Sequence, residues 1–167
     1  IVIRHPRIGS AKEVADAVSI PVINAGDGVG QHPTQALLDL YTIRKELGTL
    51  KNLSITLVGD LKNGRTVHAL VEVLSHFGVH FYFVAPSLLR MPGEITERMK
   101  EKGCEVIETD DLAMAASKSD LVYMPRIQKE RFAHVSEAEK VKGSYILNRE
   151  FLGRLKTWST ILHPLPR

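Results

Sequence analysis

Cysteine is almost missing from this chain: Cys104 stands alone among 167 residues, so no internal disulfide can form and no thiolate cluster can hold a metal. A lone cysteine in a β-rich run reads as a small hydrophobe in a reducing compartment. No apolar run approaches the roughly 20 residues of a membrane-spanning helix, and no signal-peptide pattern opens the sequence. The cytosol is the expected location. Charge of one sign is not in excess either. Twenty-two Lys and Arg oppose 19 Asp and Glu, a net of +3, and the basic residues are scattered, which argues against nucleic acid but leaves small anions open. The seven histidines are dispersed and form no H-E-x-x-H, no G-x-S-x-G elbow is present, and the glycines do not fall at G-x-G-x-x-G. Metal chemistry, a nucleophilic serine and a dinucleotide site therefore lack support. What is left is catalysis by positioning and hydrogen bonding. The opening IVIRHP reads as strand interior without an initiating methionine, which predicts a piece of a longer polypeptide.

The residues present alternate between β-rich runs and helical patterns, with no repeat or low-complexity tract. Strands are expected at IVIRH, PVINA, LSITLVGD, VHFYFVA, CEVIET, DLVYM and TILH. Helices are expected at SAKEVADAV, HPTQALLDLYTIRKELG, RTVHALVEVLSHFG, GEITERMKEKG and DLAMAASKS, with a looser one around NREFLGRL. Gly48, Gly78 and Gly103 sit where left-handed caps end helices. This order implies right-handed crossovers: an α/β class, doubly wound, with a mainly parallel sheet and helices on both faces. The helix from Pro33 to Leu47 carries Leu37, Leu40 and Leu47 with Tyr41 as its expected apolar face, and LGTLKN after it reads as a hinge. A boundary there leaves residues 1–31 as the edge of an earlier domain.

Ligands of such sheets bind beyond the carboxyl ends of the strands, so the exits carry the functional information. Lys62 and Arg65 follow LSITLVGD; Arg126, Gln128, Lys129 and Arg131 follow DLVYM; Pro164, Leu165, Pro166 and Arg167 follow TILH. A cation at a helix start is disfavoured by about 0.3–1 kcal/mol, a penalty that a bound anion reverses. The stretch Gly59–Thr66, GDLKNGRT, also approaches the phosphate loop G-x-x-x-x-G-K-[ST], but Arg65 stands at the lysine position. Guanidinium prefers a planar bidentate partner such as a carboxylate, so a nucleotide-binding protein is the second reading. In GDGVGQHPTQALLDL, Pro33 suits the first helical position and places His32 beside the positive end of the helix dipole. There the imidazole stays neutral and can polarise a carbonyl oxygen, with Gln35 one turn on; a helix cap is the competing role. The prolines of HPLPR leave the carbonyls of Pro164 and Leu165 free to accept from an amide NH₂.

Taken together, RHP at Arg4–Pro6, NAGDG with HPTQ, VGDLKNGRTVH, RIQKER and HPLPR resemble the aspartate carbamoyltransferases, in the family's order and over the whole chain. The ornithine carbamoyltransferases are less similar, having His-Cys-Leu-Pro where this chain has His163-Pro164-Leu165-Pro166. The resemblance implies transfer of a carbamoyl group from carbamoyl phosphate to the amine of L-aspartate, in pyrimidine synthesis, with no metal and no organic cofactor. It implies that Arg4 and His32 meet the carbamoyl carbonyl, Arg4 also meeting phosphate. Gln35 and the carbonyls of Pro164 and Leu165 hold the carbamoyl NH₂. Arg65 and Arg126 clamp the two carboxylates of aspartate, helped by Gln128, with Lys62 and Arg131 as supporting charges. Residues 1–31 become the edge of a carbamoyl-phosphate domain, 32–49 a bridging helix and hinge, and 50–167 the aspartate-binding domain. The family works as a homotrimer with shared sites, in some cases with regulatory subunits or fusion partners. Two departures stand out. Pro125 replaces a common threonine before Arg126, and the family's Ser-Thr-Arg-Thr phosphate loop and borrowed Ser and Lys loop are not in the sequence. On this reading the 167 residues alone bind aspartate weakly or do not turn over.

Overall fold

The structure, a computed structural model, describes residues 1–28, 30–126 and 145–165. Of the expected site residues, Gln128 and Arg131 lie outside these, as do Lys129, Pro166 and Arg167.

Strands β3 (Ser54–Val58), β4 (His80–Val84) and β6 (Leu121–Tyr123) are the runs SITLV, HFYFV and LVY. A strand apolar on both faces is stable only in the middle of a sheet covered on both sides. They take those places. The sheet order is β5-β4-β3-β6-β7, with β5 (Val106–Thr109) and β7 (Thr160–Leu162) at the edges and every pairing parallel. Alternation then divides the side chains between two cores. Ile55, Leu57, Phe81, Phe83, Leu121 and Tyr123 face α2 (Pro33–Leu47), α3 (Arg65–Leu74) and α4 (Gly93–Glu101). Val58, Tyr82, Val84 and Val122 face α5 (Leu112–Lys118) and α6 (Arg149–Leu152). Phe81 and Phe83 stack on one face with ring centroids 5.7 Å apart, and truncating either to alanine costs about 3–5 kcal/mol on general grounds. Cys104 is buried in the first core, its thiol reaching the Ser75 carbonyl at 3.7 Å, as a packed hydrophobe would.

The chain runs outward from β3 to β4 and β5, then returns to the other flank of β3 for β6 and β7. In open parallel sheets such a reversal, here at the exits of β3 and β6, is the place where ligands bind. Ahead of this sheet, β1 (Val2–His5) and β2 (Ile23–Asp27) form a separate parallel pair joined by α1 (Ser10–Ala17). Helix α2 lies against both β2 and α3, linking the two sheets.

Every expected strand and helix forms, though NREFLGRL keeps one helical turn and SHF tightens to 3₁₀. The expected apolar face of α2 needs correction. Its inner row is Ala36, Asp39, Leu40 and Ile43, with Leu47 packed alongside, whereas Leu37 and Tyr41 are 61% and 70% exposed. Each residue turns about 100° around a helix, so positions 37 and 41 fall beside the row that 36, 40, 43 and 47 define. No helix among the described residues is long and apolar enough to cross a membrane.

Candidate active site

The exit of β2 is a tight loop organised by Asp27. Its buried carboxylate accepts from the Gln31 N–H at 2.7 Å and from the Gly9 N–H at 3.0 Å, tying the loop to the start of α1. Burial pulls its pKa upward, but these backbone donors and the Asn24 side chain prevail and hold it below the usual carboxylate range. Two glycines shape the path of the loop. Gly26 has φ +121°, and a Cβ there would lie 3.2 Å from a guanidinium nitrogen of Arg65. Gly28 has φ +55°, and its Cβ would lie 2.2 Å from the Pro6 carbonyl oxygen. At Gly28 the contact is with backbone and tolerates no side chain, while at Gly26 the positive φ and the Arg65 guanidinium disfavour one.

Arg65 is the first residue of α3 and reaches across to this loop. One of its Nη atoms donates to the Gly28 carbonyl at 2.7 Å, with the guanidinium beside Gly26. Its charge is thereby carried away from the unfavourable start of its own helix. Arg65, Arg4 and Arg7 line one cavity of about 710 Å³ with His5, Pro6, Ile8 and Gly28. Arg7 is bound to Glu13 by a double ion pair at 2.5 Å. The cavity is thus a basic hollow between the exit of β1 and the start of α3.

His32 caps α2 beside it. Its Nδ1 accepts the Gln35 N–H at 3.4 Å, and a backbone N–H can only donate, so the ring proton belongs on Nε2. Burial first, then the positive charges of Arg65 and Arg4, push the imidazole below its ordinary pKa. The ring is therefore a neutral donor at physiological pH. Cap and polariser are compatible roles here, because one nitrogen serves each.

One turn along α2, the Gln35 amide NH₂ donates to Asp39 at 2.9 Å, and the other Asp39 oxygen accepts from the Tyr123 hydroxyl at 2.8 Å. Burial raises the Asp39 pKa, and the two hydrogen bonds oppose that rise. Burial and then the Asp39 charge push the Tyr123 phenol upward, so its hydroxyl keeps its proton and donates. Sequence reasoning missed this pair. The available sign was an acid set between Leu38 and Leu40 on an apolar helix face.

The exits of β3 and β6 carry Lys62 and Arg126. A Cβ on Gly59 would lie 3.6 Å from the Pro125 carbonyl, so the two exits touch, and Arg126 follows as an exposed residue beside them. Arg126 is not among the residues lining the basic cavity. Lys62 is exposed. The loop from Gly59 to Thr66 is no phosphate cradle: the N–H groups of Leu61 and Lys62 donate to Leu89, that of Asn63 to Asp60 and that of Arg65 to Asn63. A phosphate loop needs those donors facing its ligand. Leu165 lines a different cavity, of about 490 Å³, with His163, Met124, Leu147, Ile161 and Leu162. The carbonyls of Pro164 and Leu165 accept no backbone hydrogen bond among the described residues. Among these residues no group of three or more His, Cys, Asp or Glu could hold a metal ion.

Two family models match the chain. One, described as aspartate/ornithine carbamoyltransferase, carbamoyl-P binding domain, covers residues 1–45; the other, the Asp/Orn binding domain of the same family, covers residues 51–167. The aspartate carbamoyltransferase catalytic subunit of Thermococcus kodakarensis is 53% identical over 167 residues, which is 100% of this chain and 54% of that protein. Among solved structures, the catalytic subunit of M. jannaschii aspartate transcarbamoylase superposes with a TM-score of 0.87 at 49% identity, over 100% of this chain and 54% of that one. Aspartate transcarbamoylase from Trypanosoma cruzi in complex with N-(phosphonacetyl)-L-aspartic acid gives 0.90 at 39% identity, over 99% of this chain and 54% of that one. The chain therefore spans about half the length of these relatives. Matched by the models of both domains, and half identical to such relatives along its full length, the chain belongs to the aspartate/ornithine carbamoyltransferase family.

Proposed function

We propose that this chain carries the acceptor-binding half and the bridging helix of an aspartate carbamoyltransferase. The reaction is transfer of the carbamoyl group of carbamoyl phosphate to the amine of L-aspartate, giving N-carbamoyl-L-aspartate and phosphate in pyrimidine synthesis. The observation that carries this reading is the meeting of Arg4 and Arg65 in one basic cavity, with a neutral, Nε2-protonated His32 beside them. The aspartate amine attacks the carbamoyl carbon, and negative charge gathers on the carbonyl oxygen. Arg4 and the His32 Nε2–H stabilise that oxyanion, a kind of assistance worth about 10²–10³-fold per donor. Collapse breaks the carbon–oxygen bond to phosphate, which departs toward Arg4 and takes up the proton that the amine gives up. Gln35 Oε1 and the carbonyls of Pro164 and Leu165 accept from the carbamoyl NH₂. Arg65 and Arg126 take the two carboxylates of aspartate, with Gln128, Lys62 and Arg131 as further polar support.

Residues 1–31 then form the edge of the carbamoyl-phosphate domain, 32–49 the bridge and hinge, and 50–167 the aspartate domain. The separate β1–β2 pair and the family-model boundary between residues 45 and 51 support this division. A homotrimer in the cytoplasm accompanies this reading on the strength of family membership, and gel filtration with light scattering of the full-length protein tests it.

The test of function uses the full-length protein with carbamoyl phosphate and aspartate, N-carbamoyl-aspartate being measured. N-(phosphonacetyl)-L-aspartic acid should inhibit competitively with carbamoyl phosphate. Turnover of ornithine in place of aspartate would reassign the acceptor, and tight binding of ATP with magnesium would replace the reading by a nucleotide one. Arg65→Lys should raise KM for aspartate by about tenfold or more through loss of bidentate geometry, leaving KM for carbamoyl phosphate within about twofold. Equal rises in both would count against the assignment of Arg65.

A further inference from the structure

The catalytic and binding roles proposed for this chain leave a buried hydrogen-bond chain unused. Asp39 is only 4% exposed, on the inner face of α2 among Ala36, Leu40 and Ile43, where packing alone calls for an apolar residue. Its two oxygens accept from the Gln35 amide and the Tyr123 hydroxyl. Tyr123, 0% exposed, closes β6. One chain of contacts thus joins α2 to β6. Those elements lead to His32 and Arg126 in turn.

The chemistry of the chain fixes a direction. A carboxylate accepts and never donates, so Asp39 compels Gln35 to turn its NH₂ inward. The opposite end of a planar amide then faces the other way, and Gln35 Oε1 has no partner among the described residues. A glutamine left free would present its NH₂ or its oxygen to a ligand with nearly equal ease.

We propose that Asp39 and Tyr123 are positioning residues for the carbamoyl group, holding the Gln35 amide with its oxygen toward the carbamoyl NH₂ and its own NH₂ away from it. Asp39 acts on Gln35 directly. Tyr123 acts through Asp39, supplying the second donor that keeps the buried carboxylate in place. This inference rests on the carbamoyl-transfer function proposed for the chain.

The test is a double-mutant cycle in the full-length protein. Asp39→Ala and Tyr123→Phe are made alone and together with Gln35→Ala, each substrate is varied at saturating levels of the other, and melting curves are recorded. With Gln35 present, Asp39→Ala is expected to raise KM for carbamoyl phosphate about tenfold, the worth of one lost and misdirected hydrogen bond. Tyr123→Phe, which keeps the ring and its packing, is expected to raise it about threefold, with KM for aspartate unmoved in both. On the Gln35→Ala background the same substitutions should add less than about twofold, while any loss of thermal stability persists. Kinetic penalties of the same size with and without Gln35, or a penalty confined to aspartate, would overturn the proposal. Should Asp39→Ala fail to fold, the Tyr123→Phe arm decides alone. An unsubstituted protein without carbamoyl transfer would overturn the functional reading and this inference together; an active protein with an additive cycle overturns only the inference.

Discussion

Replacing His32 with alanine should lower kcat by about 10²–10³-fold, with a smaller change in KM for aspartate, when carbamoyl-aspartate formation is followed at saturating substrate. The residue stands at two jobs. Its Nδ1 caps α2 through the Gln35 N–H, and its Nε2–H is the donor available to a developing oxyanion. Loss of the cap alone costs about 0.5–2 kcal/mol of stability and leaves the rate untouched. His32→Asn separates the two effects, because asparagine is itself a strong helix cap. The melting temperature should then stay close to that of the unsubstituted protein while the rate still falls. Equal activity in the alanine variant would reduce His32 to a structural residue.

The same histidine sets a pH dependence whose sign can be worked out. Burial and the two nearby arginines lower its pKa from the ordinary 6.5, so the folded protein binds fewer protons than the unfolded chain between that lowered value and 6.5. This contribution to stability is complete above pH 6.5 and is lost as the pH falls through the window. The rate takes a similar course, since protonation turns Nδ1 from an acceptor into a donor and so removes the bond that orients the ring and its Nε2–H toward the reacting oxygen. The acid limb of kcat should therefore lie below the ordinary imidazole range, and it should vanish in His32→Asn.

Gly28→Ala is expected to be the most destabilising single-methyl change in the β2 exit, by about 3 kcal/mol or more in urea unfolding. The added Cβ would lie 2.2 Å from the Pro6 carbonyl oxygen, a backbone atom with nowhere to yield, at a φ of +55°. Gly9→Ala is the control. Its φ is +81° but nothing lies within 4 Å of the new methyl, so only left-handed strain of about 1–2 kcal/mol applies. The difference between the two isolates the clash. Because Gly28 also supplies the carbonyl that Arg65 grips at 2.7 Å, aspartate use should weaken in the first variant and not in the second. Similar losses from both would show that conformational strain, not crowding, governs the loop.

Much of the fold was legible because the central strands are unbroken apolar runs punctuated by glycine and proline, and such runs have few alternatives to a buried parallel sheet. The helix ends were equally plain: Pro33 and Gly48 bracket α2 in the sequence and in space. Strand order was not readable, since β3 and β6 are adjacent although the chain between them runs through two more strands. Within the site, His32 and Arg65 announced themselves by local chemistry, a histidine before a helix-opening proline and an arginine in a lysine's position. Asp39 and Tyr123 did not. Their bond spans 84 positions, and neither residue breaks its local pattern strongly enough to predict a partner that far away. Leu37 and Tyr41 misled for the opposite reason, being apolar residues one step around the helix from the row that is buried.

The grip of Arg65 on the Gly28 carbonyl has an entropic meaning. An unrestrained arginine samples many rotamers, and fixing it to receive a ligand costs about 1.5–2 kcal/mol. Here folding has already imposed that restriction, and the oxygen that imposes it is neutral and cancels none of the guanidinium's charge. An arriving carboxylate meets a side chain already stilled, so more of the attraction between them survives as affinity.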